Sequence, residues 1–340
     1  MQTLEFYFYY AKDGEEDLEK FCKGEKTIDD FRPTEGMITR ILGLVLYKGL
    51  YQKYPNIKIV PKNTGLINPH CCCPAYGIAT LVIKNPNNGK FMIISFCDKA
   101  YYIGEGNLEH LPESHVLHPF KDTWGWKLKD CARVFQAYGV QLEDVTYTPA
   151  KLPFTYTPCT FTVCHYSAYL EIEKRWREQK STPEKLFFRG EPTTFFRSYI
   201  QNDKRFKIEN GRICPDEFIR EMSRNSIVID INAIAELSCR TMDALGLGCA
   251  LIRPKLLVQY HNKLIPNYHY AAVDCDDLGD FKKLADAYVD KFEELKSKPD
   301  LVEFYSKNGR AWYEQNCTIE SYVNIFVNEL IDLSEIGIII

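Results

Sequence analysis

Apolar and polar positions fall in blocks along this chain, and the blocks change character near the middle. Residues 4–10 are an aromatic and apolar run that reads as a strand. Residues 39–54 (TRILGLVLYKGLYQKY) carry apolar side chains at helical spacing, stop at Pro55-Asn56 and lead into a short strand at 57–60. Residues 80–98 hold two apolar runs around Asn85-Pro86-Asn87-Asn88-Gly89, the pattern of a hairpin, and the second run ends at Asp98. From 104 to 165, Pro, Gly, His, Tyr and Thr dominate, and only a short helix over 128–138 is predicted among long loops. A charged helix over 171–180 breaks at Ser181-Thr182-Pro183.

Beyond that break the pattern is more regular. Strands are predicted at 186–188, 226–231, 249–252 and 270–273, and helices at 194–202, 214–224, 239–245 and 281–297. Strand and helix alternating over short links predict a parallel, doubly wound sheet. One more helix, over 318–333 (TIESYVNIFVNELIDL), follows after this domain is complete. The expected division is an N-terminal α/β domain at 1–180, a second Rossmann-like domain at 181–317 and a terminal helix and tail at 318–340.

A chain of 340 residues has enough apolar material for two cores. Its net charge of −4 gives no global basic field, which argues against non-specific nucleic-acid binding and requires any anion to be held locally. The 13 cysteines are scattered, odd in number and include Cys71-Cys72-Cys73, a poor plan for a disulfide framework, so a reduced cytoplasmic setting is expected. The first twenty residues lack a basic leader and read as a strand, and no run approaches the ~20 apolar residues of a membrane span.

The candidate chemistry begins at FFRGEPTTFFR, residues 187–197. A buried strand ends in Arg189 and Gly190, passes Glu191 and two hydroxyls, Thr193 and Thr194, and reaches Arg197 one turn into a helix. Two readings stand. One is a strand-to-helix turn with Thr193 as N-cap and both arginines on the surface. The other is an anion site beyond the carboxyl end of a strand, where guanidinium groups make paired bonds to phosphate oxygens. A second segment has the same grammar: the apolar run at 227–231, a polar loop, then Ser238-Cys239-Arg240-Thr241 opening a helix. A cation in a first turn opposes the helix dipole, and a bound diphosphate would reverse that penalty.

These residues carry a resemblance. Phe188-Arg189-Gly190 with Thr193 or Thr194 and Arg197, then Ser238-Cys239-Arg240 with the turn and strand from Gly246 to Ile252, resemble motifs of GT-B glycosyltransferases. More narrowly they resemble the protein O-glucosyltransferase and capsule xylosyltransferase family, glycosyltransferase family 90, over residues 186–330. The resemblance implies two Rossmann-like α/β domains facing a cleft, with the terminal helix packing back toward the first. It implies that Arg189, Arg197 and Arg240, with Gly190, Glu191, Thr193, Thr194, Ser238 and Cys239, hold a UDP-sugar donor, xylose or glucose, without a metal or further cofactor. A GDP- or dTDP-deoxysugar transferase and a non-catalytic nucleotide- or glycan-binding protein are the alternatives. The Glu-x7-Glu pattern of many retaining enzymes is absent, since Glu236 is followed eight residues on by Ala244, so inversion is expected. Family members usually enter the secretory pathway; a cytoplasmic bacterial or large-DNA-virus member would fit this chain.

Inverting transfer needs a base for the acceptor hydroxyl. Asp98, at the end of an apolar strand in the first half, is the candidate, and the family likewise has an Asp after such a strand; a turn-capping aspartate is the other reading. His115, His118 and Asp122 are in reserve, and Trp124 and Trp126 are candidates to stack on a sugar of a glycan or glycoprotein acceptor. Asp274-Cys275-Asp276 imitates a metal-binding Asp-x-Asp, but capping of the helix at 281–297 explains it more simply.

Overall fold

The computed structural model describes residues 1–8, 10, 15–31, 38–63, 80–95, 130–136, 140–141, 155–158, 165–190, 194–209, 211, 213–231, 239–256, 258–259 and 261–340. The chain forms two compact units, each assembled from separated stretches. Unit 1 comprises Met1–Phe161, Val258–Asn262 and Ile319–Ile340; unit 2 comprises Thr162–Leu257 and Lys263–Thr318. The division falls at 161/162 rather than at 180, so the charged helix near 171 belongs to the second unit.

Unit 1 is organised around a six-stranded sheet in the order β2-β1-β3-β4-β5-β7. Its strands are β1 (Gln2–Phe8), β2 (Ile57–Asn63), β3 (Thr80–Lys84), β4 (Phe91–Ser95), β5 (Cys131–Gln136) and β7 (Thr155–Pro158). β1 runs parallel to β2, β4 to β5 and β5 to β7, while β3 is antiparallel to both β1 and β4. The β3–β4 hairpin is made by its turn. Gly89 takes φ of 77°, open to glycine at little cost, and the Asn85 side chain accepts from the Asn87 backbone N–H. β6 (Val140–Gln141) pairs separately with β12 (Val258–Gln259). The helix predicted over 128–138 is strand β5: Cys131 and Phe135 are buried, and the strand lies between two parallel neighbours that take up its backbone groups.

Helices α1 (Glu15–Cys22) and α2 (Ile38–Lys53) accompany this sheet, and the last residues join them. The terminal segment starts as an α-helix over Ile319–Asn324, widens into a π-helix over Ile325–Leu330 and ends in a 3-10 turn, Leu333–Ile336. A side chain at Gly49 of α2 would lie 2.9 Å from Val323 and 3.0 Å from Val327, so bare backbone lets the two helices meet. The hairpin reaches the tail too, since Asn85 and Asn88 both donate to the Ile336 carbonyl at 2.9 Å.

Unit 2 is the Rossmann-like part. Three parallel strands, β10 (Ile227–Ile229), β11 (Ala250–Pro254) and β13 (Ala271–Val273), form one sheet in that order. β8 (Leu186–Arg189) and β9 (Phe206–Glu209) form a parallel pair. Its helices are α3 (Tyr166–Arg175), α4 (Phe195–Ile200), α5 (Pro215–Met222), α6 (Cys239–Gly246), α7 (Phe281–Ser297) and α8 (Pro299–Asn316). The strand interiors, with Leu284, Tyr288 and Phe292 of α7, build one apolar core. Both units are mixed α/β with Rossmann-like sheets. Among the described residues no helix is long and apolar enough to cross a membrane.

Helix α8, absent from the sequence-based expectation, is held against α6 by a glycine. A methyl group on Gly309 would sit 2.7 Å from Leu245 and 2.8 Å from the His269 carbonyl oxygen. Replacing a mid-helix glycine by alanine ordinarily stabilises by about 1 kcal/mol. Gly309→Ala is expected to do the reverse and cost about 1–3 kcal/mol, because the neighbour is backbone that cannot step aside. Urea unfolding of the two proteins measures the sign.

Candidate functional site

Strand β8 brings three aromatic and aliphatic side chains into the core and releases the chain at Arg189. In the parallel pairing, Arg189 stands opposite Glu209. Its guanidinium donates to both carboxylate oxygens of Glu221 on α5, at 2.5 Å from Nε and 3.0 Å from Nη2, and lies 3.6 Å from the Glu209 carboxylate. Arg189 is thus committed to two acids. It ties β8, β9 and α5 together, a structural role additional to the phosphate contact expected of it from sequence.

Gly190 and Arg240 belong together. Nη2 of Arg240 donates to the Arg189 carbonyl at 2.5 Å, and a side chain on Gly190 would lie 3.1 Å from that nitrogen and 3.2 Å from the Phe188 ring. The glycine is needed for close approach, and what approaches is a guanidinium of the same chain. Arg240 lies 4.3 Å from the centroid of the Phe188 ring, and Arg197 lies 5.1 Å from the same centroid. Each gains cation–π attraction from one phenyl group.

Arg197 enters from α4. Thr194, not Thr193, is the N-cap, its hydroxyl accepting from the Arg197 backbone N–H at 3.3 Å. The Arg197 side chain is 7% exposed and donates from Nη2 to the Ile231 carbonyl at 2.7 Å. Burial, and after it the charge of Arg240, pushes its pKa down to about 10. Two like charges are therefore held near each other in a partly dry place.

The hub beneath them is Asp230, at the end of β10 and 0% exposed. Its Oδ2 accepts from the Thr241 hydroxyl at 2.5 Å, and that hydroxyl accepts from Nη1 of Arg253 at 2.7 Å. Arg253 itself lies 3.6 Å from Oδ2 and is fully buried, and Arg240 lies 3.5 Å from Oδ1. Tyr288 of α7 donates to the Asp230 carbonyl at 2.7 Å. One further acid, Asp243 on α6, is buried; burial first, with a contribution from Asp230, pushes its pKa up to about 7 against the pull of Arg240. Three guanidiniums, of Arg197, Arg240 and Arg253, are thus gathered around the Asp230 side chain near the carboxyl ends of β8 and β10.

Asp230, Thr241, Arg253, Glu221 and Asp243 were missed as site residues. The signal for Asp230 was available: it ends an apolar run as Asp98 does, and the argument applied to one strand end holds for the other. Arg253 could have been noticed as an arginine inside the apolar strand ALIRP. Glu191, Thr193, Ser238 and Asp98, and with them His115, His118, Asp122, Trp124 and Trp126, lie outside the described residues. Cys239 is disulfide-bonded, unlike the free thiols of Cys214, Cys249 and Cys275, which departs from the all-thiol expectation and commits its sulfur. At the Asp-x-Asp, Asp274 is 75% exposed with Lys255 3.8 Å away. The acid that caps α7 is Asp280, which accepts from the Lys283 N–H at 3.1 Å.

Removing the hub charge should unfold unit 2 more readily than any single methyl deletion. Asp230→Asn removes the carboxylate 3.6 Å from the fully buried Arg253 guanidinium and is expected to cost about 3–5 kcal/mol in denaturant unfolding. Asp243 gives a pH signature. The folded carboxyl keeps its proton up to about pH 7, whereas the unfolded one releases it near about pH 4. The stability it contributes is complete below the unfolded value and is lost as pH rises through the folded one. Unfolding free energy should therefore fall across that window in wild type and fall less in Asp243→Asn.

No protein-family model matches the sequence, and no curated protein matches it either. Among solved structures, the chain is similar to the pneumococcal O-GlcNAc transferase GtfA, determined in complex with UDP and GlcNAc. The identity is 14% and the TM-score 0.36, over 59% of this chain and 46% of that one, so this chain matches less than half the length of that protein. A likeness of that size carries no functional argument.

Proposed function

We propose that this chain is a GT-B type glycosyltransferase that moves a sugar from a nucleoside diphosphate sugar to a hydroxyl acceptor, with unit 2 holding the diphosphate. The observation that supports this most is the gathering of guanidinium groups at the carboxyl ends of β8 and β10, where Arg197 and Arg240 lie over one phenyl ring. A diphosphate beside them would relieve their mutual repulsion. The ends of parallel strands are also where open α/β sheets bind their ligands.

In the finer form of this reading the donor is a UDP-sugar, xylose or glucose, and transfer inverts the anomeric centre without a metal. A base, Asp98 by sequence, takes the proton of the acceptor hydroxyl. The oxygen attacks the anomeric carbon, and the bond from that carbon to the diphosphate breaks. Charge then grows on the leaving phosphate, where preorganised guanidiniums contribute most. Gly190 matters because it lets Arg240 lie close to the turn after β8, and Glu221 and Glu209 matter because they hold the Arg189 guanidinium in place.

Thermal-shift titration with UDP, GDP and dTDP tests the reading and separates uridine from guanosine or thymidine donors. The matching nucleotide at a hundred times its dissociation constant should stabilise by ~2.7 kcal/mol. Arg240→Ala should remove most of that shift, while Asp98→Asn should keep it and lose transfer of sugar to acceptor. Stabilisation by none of the three nucleotides would sink the proposal.

A further inference from the structure

We propose that Asp243 works as a neutral carboxylic acid behind Arg240, so that binding of the nucleoside diphosphate sugar is coupled to uptake of a proton by this side chain. The inference rests on the reading of the site given above and concerns how that site is regulated.

Asp243 follows Arg240 by one turn of α6, on the same face of the helix. It is 6% exposed, and its Oδ1 has no hydrogen-bond partner among the described residues. Nε of Arg240 is likewise buried and without a partner there. A guanidinium and a carboxyl group one turn apart would be expected to bond if both were fully charged, and a buried carboxylate that accepts nothing is costly. A protonated acid is far less costly to bury in this state than a carboxylate. Its pKa, pushed up to about 7, agrees.

The charged groups around it come from each packed element. Arg240 is on its own helix, and Asp230 ends β10. Arg253 reaches in from β11 through Thr241. From α8 and α3 come Arg310 and Glu173, which meet at the far end of α6, where Arg310 donates to the Gly246 carbonyl at 2.5 Å. Tyr313, also of α8, is buried with its pKa well above the ordinary value and stays neutral. Arg240 and Asp230 are thus the charges that tune Asp243, and they pull in opposite directions.

The consequence for a ligand follows from charge. An ionised Asp243 would cancel the charge of Arg240 and repel a diphosphate; the neutral acid does neither. By reciprocity, a bound diphosphate must hold the proton on Asp243 more firmly. Asp243 acts through Arg240 and is a positioning residue.

Isothermal calorimetry of the whole chain with UDP-glucose, and with GDP-mannose in parallel, tests this. Both probes are diphosphate diesters that do not titrate near neutrality. Affinity should weaken as pH rises through about 7, by up to about tenfold per pH unit, and two buffers of different ionisation enthalpy should reveal net proton uptake. Asp243→Asn should bind at high pH as tightly as wild type does at low pH, with no uptake. Wild-type affinity that is flat with pH and free of proton uptake overturns the proposal, as does an Asn variant with the wild-type slope. Should that variant not fold, the wild-type uptake decides alone. If neither probe binds at any pH, the reading of the site falls and this inference with it.

Discussion

The side chain of Asp230 is an acid with no exposed surface, and much of unit 2 is arranged around it. Breaking such a group's pairing costs more than most single apolar losses, so its partners are constrained in turn. Thr241 fixes the start of α6 against the end of β10, Arg253 fixes β11, and Tyr288 holds α7 by the Asp230 carbonyl. Arg240 is thereby aimed at the turn after β8, where a side chain on Gly190 would crowd it at 3.1 Å. Well-packed apolar residues could supply comparable stability in place of such a network. They could not gather guanidinium groups at the strand ends, which the proposed diphosphate site requires.

Much of unit 2 was legible because its strands are short apolar runs bounded by caps and turns. The helix at 281–297 appears with those bounds, and the capping function of an acid before it was foreseen, although Asp280 performs it rather than Asp274 or Asp276. Helix α8 escaped notice for a physical reason. Its buried positions include Gly309, Arg310 and Asn316, so the apolar stripe that marks an amphipathic helix is interrupted by groups that bond backbone carbonyls instead. Residues 131–136 were misread because six residues of mixed character satisfy either period, and pairing with β4 and β7 decides. At the site, arginines were visible as residue types but not as partners. Nothing in FFRGEPTTFFR says that Arg189 meets Glu221, thirty-two residues on, or that the space beside Gly190 is filled by Arg240, fifty residues on.

The gathered guanidinium groups also have a cost in the folded protein. Arg197 is held with its charge partly desolvated, and burial pushes the pKa of Asp243 up to about 7 beside an arginine. Both are departures from what stability alone would select, and departures of this kind concentrate where a protein binds or reacts.

The order of residues in the two units bears on how the protein is made. Unit 1 draws on the first stretch of chain, on the short return at Val258–Asn262 and on Ile319–Ile340, while unit 2 is complete by Thr318. During synthesis domains fold as their sequence emerges. Unit 2 can therefore close while the sheet of unit 1, begun earlier, still waits for the segment that packs on Gly49 and anchors Asn85 and Asn88. The half that starts first finishes last, so its sheet lacks the terminal segment until the rest of the chain has been translated.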